Sequence, residues 1–328
     1  MNAFAKPEAL LEVRGLCVGY GSIPIVDNVD LSIRAGERYA LVGESGAGKS
    51  ATARALIRLD SRARVTGSVS FAGTDLLQLS ERQMAGVRGS GIGVVLQDPL
   101  SALNPVMSIG AQVTEPLRIR GVPQDVADKK AIALLDELGV ANARHRLNSY
   151  PHEFSGGMRQ RVAIAMALIA EPRFLIADEP TTALDTQAQD KVLAALDAVA
   201  RERGLAVLII THDLGVVSGF ADRVGIMYAG RKVEEGQTAA VLGQPSHPYT
   251  RALIGAVPRL GRAQIRLPSI AGEPPSPARR PAGCPFHPRC QSALPICSEV
   301  APLLKPVAGG RIVSCHVAEA ELAEEVTS

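Results

Sequence analysis

The sequence predicts an α/β fold built around a phosphate-cradling loop, and three observations carry that expectation. Residues Gly43 to Ser50 read GESGAGKS and fit G-x-x-x-x-G-K-[ST]. The apolar run Tyr39-Ala40-Leu41-Val42 feeds the loop and good helix formers, Ala51 to Leu59, leave it, which is the strand–loop–helix context that the motif requires. Further on, strand-like and helix-like stretches alternate: Phe174 to Ala177, Thr186 to Arg203, Ala206 to Ile210. Such alternation implies parallel strands with crossover helices. Unbroken apolar runs such as Leu205 to Ile210 fit a sheet covered on both faces.

The loop's chemistry follows from its residue types. Glycines at 43, 46 and 48 open backbone conformations closed to other residues, so successive N–H groups can face an anion. The next helix adds its positive N-terminal end. Lys49 can reach the β- and γ-phosphates, and Ser50 can place its hydroxyl on Mg²⁺. Gly43, Glu44, Ser45, Gly46, Ala47, Gly48, Lys49 and Ser50 together form the candidate nucleotide-binding set.

Composition narrows the field. At 328 residues the chain suggests about two domains. A net charge of +2, with 35 basic against 33 acidic residues, demands no nucleic acid, and 3% aromatic content without Trp disfavours a base-stacking platform. The N-terminus lacks the charged-then-apolar pattern of a signal peptide. Val162 to Ala170 is the longest apolar run, too short to span a bilayer. These features predict a soluble cytoplasmic chain, held at a membrane only by a partner.

Taken in order, Leu11 to Tyr20 and Ile25 to Ile33 alternate with period 2 and end at the turn Arg34-Ala35-Gly36-Glu37, the pattern of half-buried strands. Gly67 to Phe71 and Gly91 to Leu96 read as further strands. From Ser108 to Tyr150 the pattern is helical, divided by Pro116, Gly121-Val122-Pro123, Gly139 and Pro151. Ala131, Leu134, Leu135 and Leu138 mark one buried stripe there. Ser155-Gly156-Gly157 then opens a helix to Ala170. Composition shifts near Gly243, and five of the fourteen residues from Pro268 to Pro281 are proline, an extended linker. No internal repeat is visible. An acidic tail, Glu319 to Ser328, closes the chain.

Two further motifs carry chemistry. Phe174-Leu175-Ile176-Ala177-Asp178 is an apolar strand ending in an acid and followed by Glu179, about 135 residues after the loop. On its own that is how any buried strand turns polar. With the loop it fits a Walker B strand, with Asp178 on hydrated Mg²⁺ and Glu179 polarising the attacking water. In Ser155-Gly156-Gly157-Met158, Ser155 is a plausible N-cap. Two glycines in a first turn weaken a helix, so something must approach the backbone closely. A phosphate would fit, completing a site on another subunit.

These stretches, with Gln97 in VVLQDP, FSGGMRQR, ALD at 183–185 and His212 in THD, stand in the order found in ATP-binding-cassette ATPases. The chain resembles that family over residues 11 to about 240. The resemblance implies a RecA-like core with an antiparallel β subdomain and a helical subdomain, and two subunits sandwiching two ATP molecules. Each site would pair one phosphate loop with the other subunit's Ser155, Gly156, Gly157 and Met158. It also implies that Tyr20 stacks on adenine, though a core tyrosine remains the alternative there. Gln97 would contact Mg²⁺ and water, His212 the γ-phosphate, and Asp185 would couple the two sites. Mg²⁺ would be held through Ser50, Gln97 and Asp178. The family's common Leu-Ser-Gly-Gly-Gln has Phe154 and Met158 at its ends here, and keeps the Ser and both Gly.

QDPLSALNPVMSIG (97–110), HPYTRAL (247–253) and GCPFHPRC (283–290) resemble the ATPase subunits of dipeptide and oligopeptide importers. That narrower resemblance implies an ABC domain over 1–243 with its helical subdomain at about 98–172. An extension over 244–328 would hold the linker 268–281 and the cysteine cluster 284–315. It further implies a second, non-identical ATPase subunit, two membrane permeases, an extracytoplasmic peptide-binding protein, and residence on the cytoplasmic face of the inner membrane. Nickel, glutathione or another small solute are alternatives to peptide. A soluble cassette ATPase and a redox-sensing module are alternatives of another class.

Four of five cysteines, Cys284, Cys290, Cys297 and Cys315, crowd the final 45 residues at C-x5-C-x6-C-x17-C. Zinc sites usually show C-x2-4-C pairs, and disulfides do not suit a reducing cytosol. Irregular spacing suits a [4Fe–4S] cluster, with zinc and free thiols as alternatives. Some of the resembling importer ATPases carry such a cluster. Cys17 reads as a small core residue.

Overall fold

The computed structural model describes residues 9–97, 102–182, 184–257 and 270–320. Residues 98–101 of the loop after Gln97, Ala183 of the ALD stretch, Pro268 and Ser269 of the linker, and the acidic tail past Ala320 lie outside the described residues. Along the chain run β1 (Ala9–Tyr20), β2 (Ile23–Arg34), β3 (Arg38–Val42), β4 (Arg64–Phe71), β5 (Thr74–Asp75), β6 (Ile92–Val95), β7 (Phe174–Asp178), β8 (Ala206–Thr211), β9 (Arg223–Tyr228), β10 (Arg231–Gln237), β11 (Lys305–Val307) and β12 (Arg311–Val313). They fall into two compact units that interleave along the chain. One comprises residues up to 10, 33–38 and 72–210, the other 11–32, 39–71 and 211 onward.

The first unit holds the parallel trio β6, β7 and β8, paired Ile92 to Phe174 and Phe174 to Ala206. β7 and β8 are buried along their whole lengths. Each Leu or Ile removed from water contributes about 1.5–3 kcal/mol, which is why these apolar runs become central strands. Helices Ile109–Arg118, Gln124–Glu137, Gly156–Leu168 and Thr186–Arg203 supply the α layer. The buried stripe Ala131, Leu134, Leu135 is as the periodicity predicts. Pro116 lies inside the first of these helices and does not end it. At Gly93 an added Cβ would stand 2.5 Å from the Ala167 carbonyl oxygen, so this helix–sheet approach requires glycine.

The second unit contains the antiparallel β2-β1-β4 sheet, in which β1 pairs with β4 from Leu11–Phe71 to Gly19–Arg64. β3 lies parallel to β9, Tyr39 opposite Arg223, and β10 runs antiparallel to β9. The sequence reading placed no strands after Ile210, yet β9 and β10 are there. β10 reads RKVEEGQ and is buried from Lys232 to Gly236. Its charges hid it from a hydrophobicity pattern, and they are buried because they are paired. The Lys232 ammonium donates to the Glu235 carboxylate and the Asp30 carbonyl, and Arg223 pairs with the other Glu235 oxygen. β11 and β12, between Cys297 and Cys315, continue the sheet from β10, Glu234 opposite Val313. Thus the extension leans on this unit's sheet and adds only a small core of its own, Val313, Cys315 and Ala318.

Breaking that buried cluster strands a charge. Glu235→Ala leaves the Lys232 ammonium without its carboxylate and is expected to cost about 3–5 kcal/mol. A fall in the urea unfolding midpoint measures it, and a loss under about 1 kcal/mol would show the cluster to be solvent-screened.

Candidate active site

In the second unit, β3 leads into the phosphate loop as predicted, with the helix spanning Lys49–Leu56, shorter than its sequence signal. Gly43 is fixed by crowding, since a Cβ there would meet the Met227 carbonyl oxygen at 2.2 Å. Gly46 and Gly48 hold φ of +80° and +97°, the left-handed region that glycine enters without strain. Lys49 is 5% exposed and its Nζ donates to the Gly43 carbonyl at 2.7 Å and the Glu44 carbonyl at 3.0 Å. The ammonium is thereby folded back over the loop, where an anion would find it. Ala47 is buried and its N–H donates to the Glu44 carbonyl, whereas Ser45 and Gly46 lie at the surface and Ser50 is half-buried.

Glu44 is tied down. Its N–H donates to the Tyr249 hydroxyl at 2.9 Å, and its carboxylate receives both terminal nitrogens of Arg289, at 2.8 and 3.1 Å. Tyr249 belongs to the HPY stretch, whose start is held in turn by Glu234: the Ser246 and His247 N–H groups donate to its carboxylate at 2.8 and 2.9 Å. Tyr228, Tyr249 and Phe286 form an aromatic cluster with ring centres 4.6–5.3 Å apart. Sequence reading singled out HPYTRAL and GCPFHPRC but gave Tyr249 and Arg289 no role, because neither lies near residue 44 in the chain.

Tyr20 ends β1 half-buried, and burial first, then hydrogen bonding to Asp60, raises its hydroxyl above the ordinary tyrosine value. His212 follows β8 at the surface, and Asp213 beside it caps the helix Leu214–Phe220.

In the first unit, β7 delivers Asp178, 1% exposed, and then Glu179. Glu179 has φ +48°, a conformation that costs a non-glycine residue about 1–3 kcal/mol and persists only where its surroundings enforce it. They do. Its N–H donates to the Ile210 carbonyl at 2.8 Å, and its Oε2 accepts from Gln97 Nε2 at 3.0 Å and the Thr182 hydroxyl at 2.8 Å. Gln97 and Glu179, 82 positions apart, are therefore brought together. Thr182 was missed, although it sits three residues from Glu179 in the ADEPTT stretch.

Ser155 caps the helix Gly156–Leu168, its hydroxyl accepting from the Met158 N–H. Ser155 and Gly156 are exposed, and Gly157 and Met158 half-buried, so this helix N-terminus faces solvent. The glycines also have a reason inside the chain. Added Cβ atoms would stand 3.3 Å from Leu184 and from Ala188. Asp185 caps the next helix, its carboxylate accepting from the Ala188 N–H at 2.8 Å. Two capped helix starts thus lie side by side.

Cys284, Cys297 and Cys315 are buried and Cys290 partly so. The Cys284 N–H donates to the Cys297 carbonyl at 2.8 Å. Burial pushes the Cys284 thiol up to about 11, and Cys315, Cys297 and Cys290 each push it further in the same direction. Burial likewise raises Cys290 and Cys315. The four sulfurs share one lobe, yet among the described residues no three His, Cys, Asp or Glu side chains stand in a metal-ligating arrangement. Cys17 is only partly buried, its sulfur accepting the Asn28 N–H. A cavity of about 540 Å³ between Leu10, Ala35, Pro172 and Arg203 involves none of the predicted residues.

A family model described as ABC transporter matches residues 26–182, and one described as oligopeptide/dipeptide transporter, C-terminal region, matches 233–297. The oligopeptide transport ATP-binding protein OppD of Salmonella typhimurium is 45% identical, over 95% of this chain and 95% of that protein. The dipeptide transport ATP-binding protein DppD of Bacillus subtilis is 44% identical over 90% of each. Among solved structures, cbiO1 of Clostridium perfringens, part of an ABC transporter complex, superimposes with a TM-score of 0.65 at 28% identity, covering 72% of this chain and 92% of that one. A dimeric ATP-binding cassette in a post-hydrolysis state with ADP and Pi gives 0.62 at 28% identity, covering 70% and 98%.

Asp185→Ala removes an N-cap and should cost about 1 kcal/mol of stability, whereas Asp185→Asn should retain most of it. Equal urea midpoints for Asp185→Ala and the unaltered chain would show that the cap contributes nothing.

Proposed function

The chain belongs to the oligopeptide and dipeptide family of ABC transporter ATP-binding proteins, and from that premise we propose that it hydrolyses ATP to drive peptide uptake. The observation that carries the reading is Glu179, a carboxylate on left-handed backbone at the end of a buried strand, gripped by Gln97 and Thr182. Such pre-set geometry suits a group that must orient and polarise one water molecule.

The phosphate loop holds the triphosphate through its backbone N–H groups and Lys49, and Tyr20 stacks on the adenine. Ser50, Gln97 and Asp178 are the oxygen donors for Mg²⁺. The donor types, a hydroxyl, an amide oxygen and a carboxylate, fit a hard cation. Bound Mg²⁺ neutralises charge that develops on the phosphates. Glu179 accepts a proton from the attacking water, Gln97 orients that water, and His212 contacts the γ-phosphate. Ser155, Gly156, Gly157 and Met158 offer a solvent-facing helix N-terminus to the nucleotide of a second ATPase subunit, and Asp185 couples the two sites.

That second subunit is a related, non-identical chain. Two permease subunits form the path and an extracytoplasmic binding protein delivers the peptide; no described helix of this chain is itself long and apolar enough to cross a membrane. The chain sits peripherally on the cytoplasmic face, docking through the helical subdomain at about 98–172. Residues 1–243 form the ATPase domain and 244–328 the extension.

The extension holds a [4Fe–4S] cluster on Cys284, Cys290, Cys297 and Cys315. Support comes from the donor set alone, four thiols of one lobe, three of them buried, with the Cys284 N–H on the Cys297 carbonyl; ligation would require the side chains to converge further than they do here. When bound, the cluster cross-links a segment whose own core is slight.

Glu179→Gln in the assembled transporter should retain ATP binding and lower hydrolysis and peptide uptake by at least on the order of 10²-fold. Near wild-type hydrolysis would remove Glu179 from this role. Protein purified without oxygen should be brown, with iron and acid-labile sulfide in about equal amounts. Colourless protein carrying one zinc per chain would reassign the site.

A further inference from the structure

Glu44 places a negative charge inside a loop that this reading assigns to a triphosphate. Left free, that carboxylate would repel the phosphates. It is not free: Arg289 covers it with a two-pronged, charge-assisted contact, the strongest class of side-chain hydrogen bond.

Arg289 itself is unusually well held. Its side chain is 5% exposed, and each of its five N–H groups has an acceptor. Two go to the Glu44 carboxylate, one to the Tyr228 hydroxyl at 3.2 Å, and one each to the carbonyls of Ala271 and Ile270 at 2.9 and 3.3 Å. The guanidinium also lies over the rings of Tyr228 and Phe286. A side chain so over-determined fixes what it touches. Glu44 is then pinned at its carboxylate by Arg289 and at its N–H by Tyr249, while its carbonyl accepts from Lys49 Nζ. The extension therefore reaches the phosphate-binding ammonium through one residue.

We infer that Arg289 is a positioning residue for the nucleotide site, neutralising Glu44 and holding it so that loop and Lys49 keep their anion-binding geometry. The inference deepens the ATP reading above and rests on it. It makes the extension part of the nucleotide site, since Arg289 directly precedes Cys290 and lies on no element of the ATPase domain proper.

The test is equilibrium binding of a non-hydrolysable ATP analogue with Mg²⁺ to the full-length chain, purified without oxygen. Arg289→Met keeps the apolar contact with the rings and removes the charge. Its Kd should rise about tenfold, a common size for coupling between neighbouring sites. Glu44→Gln added to Arg289→Met removes the exposed negative charge and should bring the Kd back to within about threefold of the unaltered chain. A mere staple for the extension would show no such rescue. Should Arg289→Met fail to fold, Arg289→Gln, which also removes the charge but keeps hydrogen-bonding groups toward Tyr228 and the two carbonyls, takes its place with the same two outcomes. The inference is overturned by a single variant that binds within about twofold of the unaltered chain, or by a double variant as weak as the single. An unaltered chain that binds no nucleotide would instead refute the ATP reading.

Discussion

Five consecutive residues of β7, Phe174 to Asp178, are at most 1% exposed, so the strand can carry no charge until its last residue. An interior that excludes water makes an ionised carboxylate costly, and the end of a central strand is where the chain can first supply partners. Asp178 and Glu179 sit there for that reason. The backbone turns left-handed at Glu179, and contacts from Ile210, Gln97 and Thr182 keep it there. The rest of this unit is arranged to hold that strand. β6 and β8 flank it in parallel register, and Gly93 lets the neighbouring helix come close.

The second unit depends on charges in a different way. Lys232, Glu234, Glu235, Arg289 and Arg280 are polar groups in or near its interior, and each does a joining task. Glu235 ties β10 to β9 through Arg223. Glu234 receives the two N–H groups at the start of the HPY helix. Arg280 donates to Asp27 and to the carbonyls of Pro24 and Ile25, while Arg289 grips Glu44. A segment of few large apolar residues gains a fixed place this way, because directional, charge-assisted bonds specify position where packing area is small.

The two helix starts at Ser155 and Asp185 show one residue serving two demands. Each side chain satisfies an N–H group that a helix leaves without a partner, and each lies in a stretch assigned to contact with a second subunit. The glycine pair after Ser155 likewise leaves room for Leu184 and Ala188 while keeping that helix start open to solvent. Local stability and an exposed anion-ready end are met by the same atoms.

Sequence by itself determined the α/β class, the strand–loop–helix at Gly43–Ser50, the β7 strand ending in two acids, the Ser155-capped helix and the helix from Thr186. Each is a local pattern, in which period, glycine placement and residue type act over a few neighbours. Only the tertiary structure decided which distant residues meet. Gln97 and Thr182 on Glu179, Arg289 and Tyr249 on Glu44, and the extension's strands beside β10 all join positions from three to 245 apart. β10 escaped the hydrophobic pattern because it buries paired charges, and pairing is not written in a single strand's sequence. Periodicity reports which face of an element seeks the core, whereas the partner that neutralises a buried charge is fixed only once the chain has closed on itself.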